Sequence, residues 1–433
     1  MPAPSMKVTK AKLEELKNDK GRLNRQIGEV RKNGGSADTL IEELKRVSAD
    51  MKALQKVVKQ QLNQDRPPDK WTPPTLDVPP AIGQHPTVGP IAVRDCGGHE
   101  VADAEAYVLE HPASSIWHRP SVASFIANTY GHRTRFFCAY DEQNSLVGVL
   151  PVVQLKSRLF GNFLVSTPYF NYGGVLANSP KIARALIDQA NEWRHELGAD
   201  SLEMRFCQDN ALALPQRTGK VTFWLPLPNA AADLWDSFQP KVRALIRRGE
   251  RELSGFAIGG VELLDDFYRV FSINMRDLGT PVYGKEFFRN LLHTLQGKAW
   301  LAVARINGKP VGCAFLTGYR GRMEIPWAST LRRYNQTGIN MVMYWRILEF
   351  AITKRFDVFD FGRCNEGAGT YRFKQQWGAQ AIPLYWDYVL PEGATLPSLN
   401  PNNPKFRILI AAWQRMPVWL ANLIGPAIVK VLP

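Results

Sequence analysis

Between residues 9 and 32, Leu13, Leu16, Leu23, Ile27 and Val30 fall at alternating steps of three and four, and only Lys20 interrupts the seam. That spacing gathers them on one stripe of an α-helix. After Asn33-Gly34-Gly35 the pattern resumes at Leu40, Leu44, Val47, Met51, Leu54 and Val58, with Thr39 and Glu42 spaced as a capping box. Residues 1–65 are therefore expected to form an antiparallel helical coiled-coil hairpin with arms roughly 36 to 40 Å long at 1.5 Å per residue. The eight prolines of residues 66–90, six of them in pairs, predict an extended, semi-rigid linker.

Beyond the prolines the period drops to that of strands, and a degenerate repeat emerges. Phe136 to Tyr140, a polar turn, and Leu146 to Leu155 with Gly148 match Trp300 to Arg305, a turn, and Val311 to Tyr319 with Gly312. Each copy continues into an aromatic segment, a helix (Lys181 to Leu197, or Gly338 to Lys354) and a strand (Ser201 to Phe206, or Asp357 to Phe361). Two similar α/β units are expected, over 91–240 and 241–395, with a groove between them as the site. The second strand leads into Arg363 and a glycine-bearing loop, then Tyr371, Arg372, Lys374 and Trp377. Charged and aromatic groups thus collect at a strand end, where open α/β sheets tend to bind ligands.

Charge points to an anionic partner. The chain of 433 residues carries 54 Lys+Arg against 40 Asp+Glu, net +14, which suits RNA, phospholipid or a phosphorylated substrate. Residues 1–70 hold an excess of six positive charges. Pro240 to Glu252 reads as a helix with Arg247 and Arg248 on a basic face, either solvated or touching phosphate. Residues 396–433 form an amphipathic tail in which tryptophans and Lys405, Arg407, Arg415 and Lys430 occur without an acidic residue, so it packs on the second unit or lies on an anionic lipid surface. Five scattered cysteines indicate reduced thiols rather than disulfides, and seven histidines without ligand spacing indicate no metal. No stretch of 18 apolar residues occurs, so the expectation is a cytoplasmic protein, peripheral on the inner membrane face if the tail touches lipid.

Three blocks carry a resemblance. Ser166 to Gly174 (STPYFNYGG), Met275 to Tyr283 (MRDLGTPVY), and Phe359 to Arg363 with Gly369 to Lys374 and Trp377-Gly378 are similar to the FemAB family, closest to its exosortase-associated subgroup, over His111 to Tyr388. The hairpin, through Lys20 to Gly28, Lys32 to Gly34 and Ile41 to Lys45, resembles the tRNA-binding arm of seryl-tRNA synthetase. The first resemblance implies two tandem GNAT-like domains and transfer of an amino acid from aminoacyl-tRNA to an amine of an envelope precursor, with no cofactor beyond the co-substrate. An acyl-CoA-dependent N-acyltransferase and a scaffold dimerised by the hairpin are the alternatives. The stretch Arg332 to Gly338 holds one glycine where the GNAT pyrophosphate loop has several, which weighs against CoA.

Lys374 matches the lysine of the family's Phe-Lys motif and is the implied catalytic cation, while Asp360, on the strand, either accepts the amine proton or makes a structural hydrogen bond. Arg363 and Arg372 suit bidentate phosphate recognition, and Arg205 occupies the corresponding strand end of the first unit. Asn171, Tyr172, Tyr283, Tyr371 and Trp377 are expected to line the groove. Arg22, Arg25, Arg31, Lys32 and Lys45 on the hairpin, with Arg247 and Arg248, are the expected contacts to tRNA. The heptad seam can close within one chain or between two, leaving monomer and coiled-coil dimer open.

Overall fold

A computed structural model describes residues 6–32, 36–64, 71–98, 100–396 and 404–432. It separates into two units, residues 1–70 and 71–433. In the first unit, helices α1 (Met6–Lys32) and α2 (Asp38–Gln64) form the hairpin. Leu23 and Ile27 are buried, Leu13, Leu16, Val30, Leu40, Leu44, Val47, Met51 and Leu54 are half-buried, and most polar positions between them are exposed, with Asp19, Lys20 and Ser48 half-buried. Helix α2 begins at Asp38, which Ser36 Oγ meets at 2.5 Å, so Thr39 sits within the first turn rather than capping it. The glycine turn at residues 33–35 lies outside the described residues.

The second unit contains the repeat. Its first half comprises β1 (Ala92–Asp95), α3 (Glu100–Glu110), α4 (Pro120–Tyr130), β2 (Thr134–Tyr140), β3 (Leu146–Ser157), β4 (Gly161–Val165), β5 (Leu176–Ala177), α5 (Pro180–Glu196), β6 (Ser201–Phe206) and β7 (Gln216–Pro226). Helices α6 (Ala231–Ser237) and α7 (Pro240–Glu252) follow. The second half runs β8 (Gly255–Gly259), α8 (Leu264–Leu278), α9 (Lys285–Thr294), β9 (Ala299–Ile306), β10 (Lys309–Tyr319), β11 (Arg322–Thr330), α10 (Ile339–Thr353), β12 (Val358–Asn365), α11 (Gly369–Gln375) and β13 (Gln380–Val389). Helices α12 (Pro404–Arg415) and α13 (Val418–Val429) close the chain.

One sheet crosses both halves in the order β1-β2-β3-β4-β6-β13-β7-β12-β11-β10-β9-β8, with β5 pairing β3 off that path. Read from either end it is the same series, and each half lends its last strand to the other: β13 pairs β6, and β7 pairs β12. The parallel pairs β4–β6 and β11–β12 hold for three residue pairs each and then splay. The repeat glycines explain themselves by packing. A Cβ on Gly148 would lie 2.7 Å from Ile182 of α5, and one on Gly312 would lie 3.1 Å from Met343 of α10, so in each half the missing side chain lets the crossover helix settle on the sheet.

From Trp71 the proline-rich segment is extended, as its composition predicts, but it lies against the second unit. Ile82 is buried and bridges Ala177, Gly83 N donates to Ala177 O at 2.8 Å, and Gln380 fastens residues 74–76 through Leu76 N and Pro74 O. Apolar side chains between the prolines, Trp71, Leu76, Val78 and Ile82, give it something to bury. A chain beginning at Trp71 should therefore keep its cooperative melt within about 2 °C of the full-length protein; a larger drop in calorimetry would mean the hairpin contributes to the core.

Candidate active site at the shared centre of the sheet

Strand alternation brings one set of side chains to a single face where the halves interleave. They are Glu203 and Arg205 from β6, Trp386 and Tyr388 from β13, Lys220, Thr222 and Trp224 from β7, Arg322 and Glu324 from β11, and Asp360 and Arg363 from β12. Asp360 is fully buried and accepts hydrogen bonds from Thr222 Oγ1 and Gly362 N, both at 2.8 Å, and from the Tyr172 hydroxyl. Trp224 Nε1 in turn donates to that hydroxyl at 3.1 Å. Between Asp360 and Arg363 the register against β7 shifts, and Gly362 at φ +72° makes the bulge. The bulge swings Arg363 to 5.3 Å from the centre of the Trp386 ring.

Lys374 fastens this bulge. From α11 its Nζ donates to Gly362 O at 2.6 Å and Arg363 O at 3.0 Å, and only 7% of the residue is exposed. Burial lowers its pKa, while Cys364 and Asp360 favour the charged form.

Three cations surround Trp386: Lys220 Nζ at 4.0 Å, the Arg205 guanidinium at 4.5 Å and Arg363. One carboxylate answers them. Glu203 takes Arg205 at 2.7 Å and the Tyr388 hydroxyl at 2.6 Å; burial works against its charge, yet these partners hold its pKa below the ordinary value. Arg205 also donates to Phe170 O at 2.7 Å. Arg363 has no carboxylate within ion-pair distance among the described residues, and its Nη1 is buried without a hydrogen bond. Burial and then the positive neighbours Arg363 and Arg205 push Lys220 down to about 7, so its amine is part neutral near physiological pH.

Glu324 sits at the β11 side of this face, buried beside Asp360. Glu324 accepts from Trp117 Nε1 and Asn171 Nδ2, each at 2.7 Å, and the Arg322 guanidinium stacks over Trp224 at 4.6 Å. Burial, and then the charge of Asp360, push Glu324 up to about 8. Asn171 and Tyr172 reach the face from segment 166–174 of the first half, where Thr167 and Tyr169 adopt the left-handed region at φ 57° and 76°. For non-glycine residues that is strain a surrounding structure has to impose. Since the unfolded Glu324 ionises near its ordinary value and the folded one near 8, stability should fall as pH rises between them. Denaturant titrations from pH 5 to 9 should show this slope flattened in Glu324→Gln.

The sequence expectations divide here. Arg205, Arg363, Asn171, Tyr172, Lys374 and Asp360 are brought together, and the half-buried Tyr283 joins from the loop before α9, 6.0 Å from Tyr169. Trp377 does not line the groove: it is 1% exposed and packs with Phe238, Tyr344 and Phe361 in the core. A tryptophan after a lysine in a loop reads alike whether it faces solvent or core. Tyr371 leans on Phe223, whose side chain alternates with those of Thr222 and Trp224 and so points to the opposite face, and Arg372 is exposed. Lys220, Trp386, Arg322 and Glu324 escaped the sequence reading; the alternation Lys220, Thr222, Trp224 was their available signal.

Of the expected RNA contacts, Arg22, Arg25 and Lys45 are exposed on the hairpin, Arg22 paired with Asp19 and Lys45 with Glu42 at 3.0 Å each. Arg31 and Lys32 lie in α1 with side chains outside the described set. Arg247 and Arg248 are exposed on α7, whose buried stripe is Val242, Ile246 and Gly249, and Arg248 borders a groove with Asn335, Gln336 and Asn340. Among the described residues no group of acidic, histidine or cysteine side chains is placed to hold a metal ion, and all five cysteines are free.

A family model described as an acetyltransferase (GNAT) domain matches residues 238–375. Among solved structures, that of FemX aligns over 72% of this chain and 98% of its own at 14% identity, with a TM-score of 0.54. A tandem GNAT protein from the clavulanic acid biosynthesis pathway aligns over 71% and 99% at 10% identity with a TM-score of 0.44, and the L-PGS of Bacillus licheniformis over 69% and 98% at 15% identity with a TM-score of 0.41. No curated protein sequence matches the chain. The second unit thus has an acyltransferase fold, two GNAT-like halves in tandem sharing one sheet.

Proposed function

We propose that the protein is an aminoacyltransferase. An amine of a cell-envelope precursor, in peptidoglycan or exopolysaccharide synthesis, attacks the ester carbonyl of an aminoacyl-tRNA on the shared face. A C–N bond forms, the ribose oxygen leaves, and the proton lost by the amine passes to that oxygen. The observation that carries this reading is the excess of positive charge around Trp386, where Arg363 has no carboxylate within ion-pair distance among the described residues. An RNA 3′ end offers phosphates to such a cluster of cations. Arg363 receives phosphate, Arg205, held by Glu203 and Phe170 O, adds positive potential beside it, and Lys220, part neutral, relays the proton. Lys374 holds the carbonyls of the bulge and adds positive potential where the oxyanion develops. Asp360, already met by three donors, is a positioning residue that fixes the start of the bulge.

Packing of α7 narrows, without closing, the place where a GNAT fold would hold the pyrophosphate of acyl-CoA. The turn before α10, where a GNAT fold would cradle pyrophosphate, is capped by Gly338 at φ +83°, and α7 lies across it. A Cβ on Gly249 would stand 2.4 Å from Gly338 O, so the backbones touch and the first turn of α10 is covered on that side.

Calorimetry with charged tRNA and with acyl-CoA tests the donor. Charged tRNA should bind, and a chain starting at Trp71 should bind it more weakly with a shallower salt dependence, because the basic hairpin releases counterions. Binding of acyl-CoA without charged tRNA would select the acyl-CoA enzyme. Loss of a dimer at unchanged RNA affinity would select the scaffold.

A further inference from the structure

We propose that α12 and α13 form a docking face for an anionic phospholipid surface. Helix α13 has no charged residue from Val418 to Val429, yet only Ala421, Gly425 and Val429 are buried, a stripe one residue wide at steps of four. A helix without charge on any side belongs in an apolar environment, and this one is fully buried along a single edge, with Trp419, Leu423 and Ala427 exposed on another. Its outer positions Trp419 and Leu423 are each 68% exposed, and Leu409 of α12 is 63% exposed. Leu278 joins them at the end of α8, next to Gly279, where a Cβ would meet Ile410 of α12 at 2.5 Å. These are four of the nine large exposed hydrophobic residues described in the chain, so the exposure is concentrated rather than scattered.

Charge selects the occupant. From residue 393 to the end there is no Asp or Glu, while Lys405, Arg407, Arg415 and Lys430 are spread along it. On the neighbouring α8, Asp265, Asp266 and Asp277 are each paired, with Lys285, Arg305 and Arg276. A negatively charged headgroup layer therefore meets these cations, with the α8 aspartates already paired, around an exposed tryptophan. Among the described residues no helix is long and apolar enough to cross a membrane, so the contact is peripheral.

The face is held rigidly and reaches the loops of both halves. Gly425 packs so closely on Val282 that a Cβ would stand 2.9 Å from its backbone nitrogen, and Arg276 Nη1 donates to Met416 O at 2.8 Å. At the other end of α13, Lys430 O accepts from the Tyr169 hydroxyl at 2.5 Å and lies 2.8 Å from His132 Nε2. Tyr169 belongs to the strained segment that supplies Asn171 and Tyr172, and Val282 precedes Tyr283. Docking would bring both loops to the bilayer surface, which suits a lipid-linked acceptor; that consequence, unlike the docking itself, rests on the proposed transfer reaction.

Flotation of the full-length protein with vesicles of phosphatidylcholine alone, or with 30% phosphatidylglycerol as a round choice of roughly physiological surface charge, tests the proposal without any substrate. The protein should float with the anionic vesicles and remain behind with the neutral ones. The double variant Trp419→Ser/Leu423→Ser should bind about tenfold less at an unchanged melting temperature, and Arg415→Glu about threefold less. Wild-type protein left in the aqueous fraction at low salt, or a double variant that floats as well as wild type, would overturn it. So would a wild-type dimer that the double variant converts to a monomer without any flotation, since the face would then join two copies. Because no tRNA enters the assay, failure of the transfer reading leaves the result unaffected.

Discussion

Replacing Arg363 with methionine should lower transfer by about 10²-fold or more and leave the protein as stable as before, or more so. The two effects have one origin. Arg363 has no ion pair among the described residues and sits with Arg205 and Lys220 around a single indole, so its charge is unfavourable in the empty protein. An anionic substrate reverses that sign. Methionine keeps the stem over Trp386 and removes the repulsion, and the Lys220 amine should titrate at higher pH once a positive neighbour is gone. Single-turnover transfer alongside a urea titration reads both quantities. A variant that loses stability in proportion to activity would mark Arg363 as a structural residue.

The second large effect is on folding. Gly338→Ala should destabilise the protein by about 2 to 4 kcal/mol, because a Cβ there would stand 2.8 Å from Leu245 O and 2.9 Å from Gly249 N, at a φ of +83° that alanine resists. Both obstacles are backbone, so no rotamer change relieves them. A loss of stability below half a kilocalorie, roughly the scale of an ordinary surface change, would mean that α7 is free to lift away from α10.

Much of this fold is written in local periodicity. Steps of three and four give α1 and α2 their seam, and the matched glycines Gly148 and Gly312 announce two copies of one unit. The exchange of last strands was not legible, because alternation along β7 and β13 states which face is apolar and leaves the partner edge open. That exchange is what builds the site: Lys220 of the first half reaches Trp386 of the second only because β7 and β13 run side by side. Arg205 and Arg363 could be found as charges at strand ends, whereas Glu324 needed the spatial proximity of Asp360 and Trp117. From Trp71 to Pro90 the proline-rich segment forms no helix, but the apolar residues between the prolines carried the further message that it packs.

The account rests on the shared face as the place of transfer, and one measurement reaches it most directly. Protein mixed with tRNA carrying a labelled amino acid and with membranes containing lipid-linked envelope precursors should move label into the lipid fraction. Lys374→Met should reduce that rate by about 10²-fold, while the share of tRNA affinity supplied by the hairpin and α7 remains. Label that stays on tRNA with wild-type protein, or turnover undiminished in Lys374→Met, would contradict it.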